Sequence, residues 1–255
     1  ADSFGDNQTD GFTLGGSLLA NNLQPTAGGG SIVVDAVGDV VSHAVSVIQA
    51  RANAGVSGSV DIRSGGKIDL GTAIDLPGQD GGSLSLDAGT SVIVRGVLTD
   101  AFGDAGSGGD LSVAAGTSIQ SLGVVSVKGT TSVDGLFGGS GGTVDLDAGF
   151  GDITIAANLF ANGASPDGPG GLITLTSVGA ISTQAGMTIS ARGGGGIQSC
   201  GGELCASAGG NMSRMMARET TMPAPVDMPC TARKKISQPT VGASAQPTDA
   251  SVNAA

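Results

Sequence analysis

The chain has 255 residues, 47 of them glycine, no Trp or Tyr, and a formal net charge of −11. An acidic chain almost without aromatics lacks the basic stripes and stacking platforms of a nucleic-acid grip. It has no apolar run of membrane-spanning length, so membrane insertion is not expected.

Residues 1–27 read as a partial rung or N-terminal cap. Phe12, Leu14 and Leu18 fit the second and third strands of that rung, with Phe4 a candidate for its first. From residue 28 to 210 one pattern recurs. Its first step is Ile32, Val60, Leu84, Leu111, Val144 and Ile173. Two residues on stand Val34, Ile62, Leu86, Val113, Leu146 and Leu175, and two further on a small residue: Ala36, Ser64, Ala88, Ala115, Ala148, Ser177. A second ladder follows in Val40, Ile68, Val92, Ile119, Ile153 and Ile181. A third follows in Ser46, Ile74, Leu98, Val125, Leu159 and Met187. Val45 and Val47 flank Ser46, which leaves that strand open to a one-residue shift. Ile197 marks the start of a further rung, after which the pattern fails.

Period-two alternation marks strands with one buried face. Three short strands cannot form a compact sheet alone, but coiled into a rung and stacked they make three parallel sheets around one core. First-step anchors are 28, 24, 27, 33 and 29 residues apart. The expectation is an all-β chain: a right-handed single-stranded parallel β-helix, or β-solenoid, of about seven rungs with three short strands each. A leucine-rich repeat would need a helical half and a propeller blade aromatic hairpins, and neither is present. A charge placed at Leu86 or Val113 would find no partner. The variable stretches fall at one corner, between the third strand and the next first strand, as in 76–82, 101–109, 128–142 and 162–171. Positive φ at these tight corners would account for the many glycines.

Past residue 210 the character changes. Five of six methionines lie between Met212 and Met228, and residues 211–255 hold five basic side chains against three acidic ones. Asn211 is placed to cap a short helix over 211–222, with Met212, Met215 and Met216 covering the last coil. An unstructured segment fits equally, and 223–255 reads as a disordered tail. Cys200 and Cys205 are spaced for a small disulfide loop or for two free thiols, with Cys230 left over. One histidine, His43, cannot complete a zinc site with them.

Catalytic signals are sparse. Gly138-Gly-Ser140-Gly-Gly142 matches a nucleophile-elbow pattern, but no helix pattern follows it. Outward columns on the first strand run Val33, Asp61, Ser85, Ser112, Asp145, Thr174 and Asp35, Arg63, Asp87, Ala114, Asp147, Thr176. Their alternating charges, with Asp39 beneath Lys67, read as neutralising pairs between rungs. Only Asp145 and Asp147 approach the paired carboxylates of a glycan-cleaving groove. No cofactor is expected. Weak calcium binding by corner residues Asp80, Asp104 and Asp167 is the alternative to ordinary turn chemistry. The partner-contact candidates are Phe137, at the tip of the longest corner loop, and Phe160, with Val97 and Val124 facing outward beside it as an apolar strip on the third sheet.

Three segments share a Gly-Gly-Ser/Thr-Φ-x-Φ-x-Ala-Gly start: 81–89, 109–116 and 141–149, the middle one carrying Asp110 in place of Ser or Thr. This start resembles secreted bacterial β-helix proteins of the filamentous-haemagglutinin and autotransporter-passenger type. The resemblance covers about residues 28–197. It implies a right-handed coil, placement outside the cell or on the bacterial surface, and an adhesive or scaffolding role. With catalytic signals so sparse, the chain is expected to be a non-enzymatic structural module. The partner would be a host or matrix glycan or protein, met by the corner loops 128–142 and 162–171. A polysaccharide-processing enzyme and a filament subunit stacking through its coil ends are the alternatives.

Overall fold

The structure is a computed structural model that describes residues 11–22, 24, 27–53, 55–195, 201–209, 212–213 and 234–237. The described residues form three parallel sheets and no helix, wound as a β-solenoid of about seven turns. Each complete turn contributes one strand to each sheet, and neighbouring strands in a sheet come from successive turns.

The first sheet carries the longest strands. Ser31–Ala36, Ser59–Ser64, Ser83–Ala88, Asp110–Ala115, Thr143–Ala148 and Leu172–Ser177 stack in the register expected from their alternation. Ile32, Val60, Leu84, Leu111, Val144 and Ile173 form one inward column, and the next inward column runs from Val34 to Leu175. The second sheet is also as expected, from Phe12 through Val40, Ile68, Val92, Ile119 and Ile153 to Ile181. These side chains are almost all fully buried. Stacked about 4.8 Å apart, each inward Val, Ile or Leu contributes about 1.5–3 kcal/mol through burial.

The third sheet differs from the expectation. Its inward column is Leu18, Ile48, Ile74, Val97, Val125, Leu159 and Ile189. Ser46, Leu98 and Met187 are therefore replaced by Ile48, Val97 and Ile189. Ser46 is buried instead at the corner before this sheet, where its hydroxyl donates to the Leu14 carbonyl at 2.7 Å. The next rung also starts later than expected. Its first strand is Glu203–Ala208, with Leu204 beside Ile173, while Ile197 lies outside the described residues. Met212–Ser213 is a strand that extends the second sheet against Ile181 and Ser182, and the rest of the 211–222 stretch expected as a capping helix, Met215 and Met216 included, lies outside the described residues. Of the stretch read as a tail, Lys234–Ser237 is a strand on the first sheet, and the rest lies outside the described residues.

Close approach explains most of the described glycines better than backbone sign does. Only five of them have positive φ. A Cβ on Gly58 would stand 2.0 Å from the Gly30 carbonyl oxygen, and one on Gly142 would stand 1.8 Å from that of Gly109. Gly82, Gly109, Gly171 and Gly202 repeat the arrangement, each over the glycine of the turn before. A second such row, Gly65, Gly89 and Gly116, stands at the far end of the first-sheet strands. The repeated Gly-Gly-Ser/Thr…Ala-Gly segment is thus one six-residue strand held between two backbone-to-backbone stacks.

The same glycines close the variable loops. The amides of Gly30, Gly58, Gly82, Gly109, Gly142, Gly171 and Gly202 donate to the carbonyls of Ala20, Ala50, Leu76, Thr99, Val127, Ala161 and Ala191. Each bond is a neck that joins the end of the third strand to the start of the next first strand. Loops of very different length leave and re-enter the coil through this one geometry.

Candidate partner-contact surface

The longest corner loop runs from Lys128 to Gly141, above the neck between Val127 and Gly142. It is anchored on both sides. Toward the preceding turn, the Thr130 hydroxyl donates to the Gly103 carbonyl at 2.6 Å, and the Val133 amide donates to Asp104 Oδ1 at 2.7 Å. Toward the following turn, the Gly138 amide donates to Asp167 Oδ1 at 2.7 Å, and the Ala164 amide donates to the Gly139 carbonyl. Thr131 and Gly138 pair antiparallel, so the tip is a small hairpin.

The tip is internally fixed as well. The Ser132 amide donates to the Phe137 carbonyl, and the Phe137 amide donates to Ser132 Oγ at 2.9 Å. Asp134 Oδ1 accepts from the Ser132 hydroxyl at 2.6 Å and from the Leu136 amide at 3.0 Å. Those two bonds, the hydroxyl first, hold the Asp134 carboxyl below the ordinary aspartate range. Gly135 takes φ +71 at the bend, a conformation that suits glycine. What this framework presents is apolar: Val133, Leu136 and Phe137 are 93, 64 and 59 % exposed.

Of the four contact residues read from the sequence, Phe137 is where it was expected. Val124 faces outward and is exposed. Val97 does not: it is fully buried in the third-sheet column, and Leu98 faces outward in its place. Phe160 is half-buried beneath Lys128, whose Nζ lies 4.5 Å from the ring centroid. The outer column of this sheet runs Leu19, Gln49, Asp75, Leu98, Ser126, Phe160, Ser190. Gln49 Nε2 donates to Asp75 Oδ2, and the buried Ser126 hydroxyl donates to Asp100, so polar links interrupt any apolar strip. Val133 and Leu136 were missed in the sequence reading. The signal for them was Asp134-Gly135, a hairpin dipeptide set between apolar residues.

The aspartates act mainly on backbone. Asp39, Asp80, Asp100, Asp104 and Asp152 each accept an amide from the following turn, and Asp167 accepts one from the turn before. Asp39 therefore meets the Lys67 amide rather than pairing with its ammonium. Arg63 turns to Asp61 in its own strand at 2.6 Å, not to Asp35 or Asp87 on neighbouring turns. Arg95 reaches Asp69 across one turn. Among the described residues, no three His, Cys, Asp or Glu side chains converge as a metal site.

Asp145 and Asp147 share the outer face of one first-sheet strand, with Ser112 and Ala114 on one side and Thr174 and Thr176 on the other. Partial burial, then the Asp147 charge, raise the Asp145 carboxyl above its ordinary range. Ser140 hydrogen-bonds the Ser107 hydroxyl at 2.9 Å and leads into a strand, not a helix. A shallow cleft of about 410 Å³ lies along the glycine row, lined by Ser31, Ser59, Ser83, Val56 and Asp110 among others. His43 is exposed at the corner between the second and third sheets. Cys205 stands on the outer face of the first sheet, its Sγ 3.1 Å from Glu203 Oε1; Cys200 and Cys230 lie outside the described residues.

No protein-family model matches the chain, and no curated protein or solved structure matches it. The architecture rests on the chain's own periodicity and register.

Proposed function

We propose that this chain is a non-enzymatic structural and adhesive module of the filamentous-haemagglutinin or autotransporter-passenger type. It works outside the cell or on a bacterial surface. The solenoid is the spacer, and the corner loops are the contact elements for a cell-surface or matrix partner. The observation that carries this reading is the 128–141 loop: a segment clamped to both neighbouring turns that nevertheless exposes Val133, Leu136 and Phe137. A rigid presentation of apolar groups loses little conformational freedom on binding, which favours recognition.

The test is binding of the full chain to panels of glycans and matrix proteins. A second arm replaces residues 129–140 by the short Gly-Gln-Asp segment of the 78–80 corner, which keeps the neck. Saturable binding by the native chain that the shortened chain loses, with no reducing ends released, is the expected result. Release of reducing ends from a polysaccharide would replace adhesion by glycan cleavage. That second reading has one observation in its favour, the raised Asp145 beside Asp147. Its surroundings of Ser, Ala and Thr offer neither a cation nor an aromatic platform.

A further inference from the structure

We infer that the Ser132–Phe137 hairpin is a plug for a particular kind of pocket: an apolar depression with an Arg- or Lys-bearing rim on a partner protein. The inference rests on the adhesive reading above and names the chemistry of its partner. Three large apolar side chains stand exposed on six consecutive residues, a grouping more concentrated than the scattered apolar exposure of ordinary surfaces. Three carboxylates frame them. Asp104 bonds the Val133 amide, Asp134 the Leu136 amide, and Asp167 the Gly138 amide, at 2.7, 3.0 and 2.7 Å. Each carboxylate is therefore fixed against the backbone of the apolar tip. Neither ion pair among the described residues involves any of the three, and the nearby Lys128 ammonium is engaged over Phe160.

An apolar centre ringed by negative charge is complementary to an apolar pocket ringed by positive charge. It is a poor match for a lipid surface, where the carboxylates would have to enter the headgroup layer, and an anionic membrane would repel it. The aromatic and aliphatic side chains would supply the affinity and the carboxylates the orientation and encounter rate.

The probe is an array of synthetic peptides graded independently in Leu/Phe and in Arg content, read with the full chain at low and high salt. Binding is expected only where both contents are high, and weaker at high salt. The variant V133S/L136S/F137S should lose about tenfold or more in affinity, with its fold intact because all three side chains face solvent. The variant D104N/D134N/D167N keeps the accepting oxygens and removes the charges, so it should bind more weakly and lose its salt dependence. D35N/D87N/D147N, which removes the same number of charges from the first-sheet wall, should bind like the native chain. Unchanged binding by V133S/L136S/F137S would overturn the inference, as would absence of binding to every peptide. Equal binding to Arg-free peptides or to phosphatidylcholine vesicles would overturn it too, in favour of apolar contact alone. If the hairpin variant still binds the glycan and matrix panel, the plug is wrong while the adhesive module stands.

Discussion

The first and third walls of the solenoid are made from the same chain by different means. First-wall strands from Ser31–Ala36 to Glu203–Ala208 are six residues long and place three inward side chains per turn between two rows of stacked glycines. Third-wall strands are two or three residues long and place only one inward. Their outer side carries the turn-to-turn links of Gln49 with Asp75 and Ser126 with Asp100. The first wall sets the register of the whole coil, because a one-residue slip would turn three buried columns outward at once. The third wall follows that register and closes each turn at its neck.

The largest test of this contrast puts a charge in each wall. Leu86→Asp on the first and Val97→Asp on the third should both cost about 4 kcal/mol or more, since neither core holds a partner. Leu98→Asn, one residue along on the outer face, should stay within about 0.5 kcal/mol. Urea midpoints measure all three, and a large loss at Leu98 would show that the third-wall register is wrong. Next comes Gly142→Ala, whose Cβ would fall 1.8 Å from the Gly109 carbonyl oxygen. A loss of about 2–3 kcal/mol is expected. Gly16→Ala, beside the third wall with nothing within 4 Å, should be nearly silent. Equal losses at the two glycines would erase the distinction between the walls.

A smaller effect has the opposite sign. Thr99 is fully buried in the column that continues the third wall between Leu76 and Val127, and its hydroxyl has no partner. Thr99→Val should raise the melting temperature and stabilise by about 1 kcal/mol. The smallest effect belongs to Asp145. Its folded carboxyl titrates above the ordinary 3.8, so the folded chain holds more protons than the unfolded one just above that value. Its contribution to stability therefore grows as pH falls through that window and is lost as pH rises. Asp145→Asn should remove this slope, and because the side chain is exposed to solvent, screening keeps its effect at about pH 7 within about 0.5 kcal/mol, as for ordinary surface substitutions. Denaturation at about pH 7 and about pH 4.5 measures it.

The difference between the walls also governs what could be read without coordinates. Over six residues, Ser83-Leu84-Ser-Leu86-Asp-Ala88 has only one phase that buries all its apolar groups, so the first wall was legible residue by residue. In Val97-Leu98 two apolar neighbours leave the phase open, and in Val45-Ser46-Val47-Ile48 four positions compete. There only the pairing with Ile74 decides. The glycines were legible as corners but not as a stack, because the reason for them lies one full turn away in the chain. The contact surface was half legible. Phe137 stood out as a rare aromatic, whereas Val133 and Leu136 are recognisable as exposed only once the Asp134-Gly135 bend is seen to turn them away from the coil.

The neck bonds carry a consequence for how such a molecule changes over generations. Because excursions as short as 76–82 and as long as 127–142 are fastened at the same kind of point, the outgrowth between two fasteners can be exchanged without disturbing the turns above or below. A whole turn, cut at equivalent glycines, can likewise be duplicated or deleted, altering the reach of the shaft by one strand spacing and leaving its cross-section as it was. Reach and recognition are then separately adjustable, and tandem duplication within the coding sequence would be enough to adjust the first.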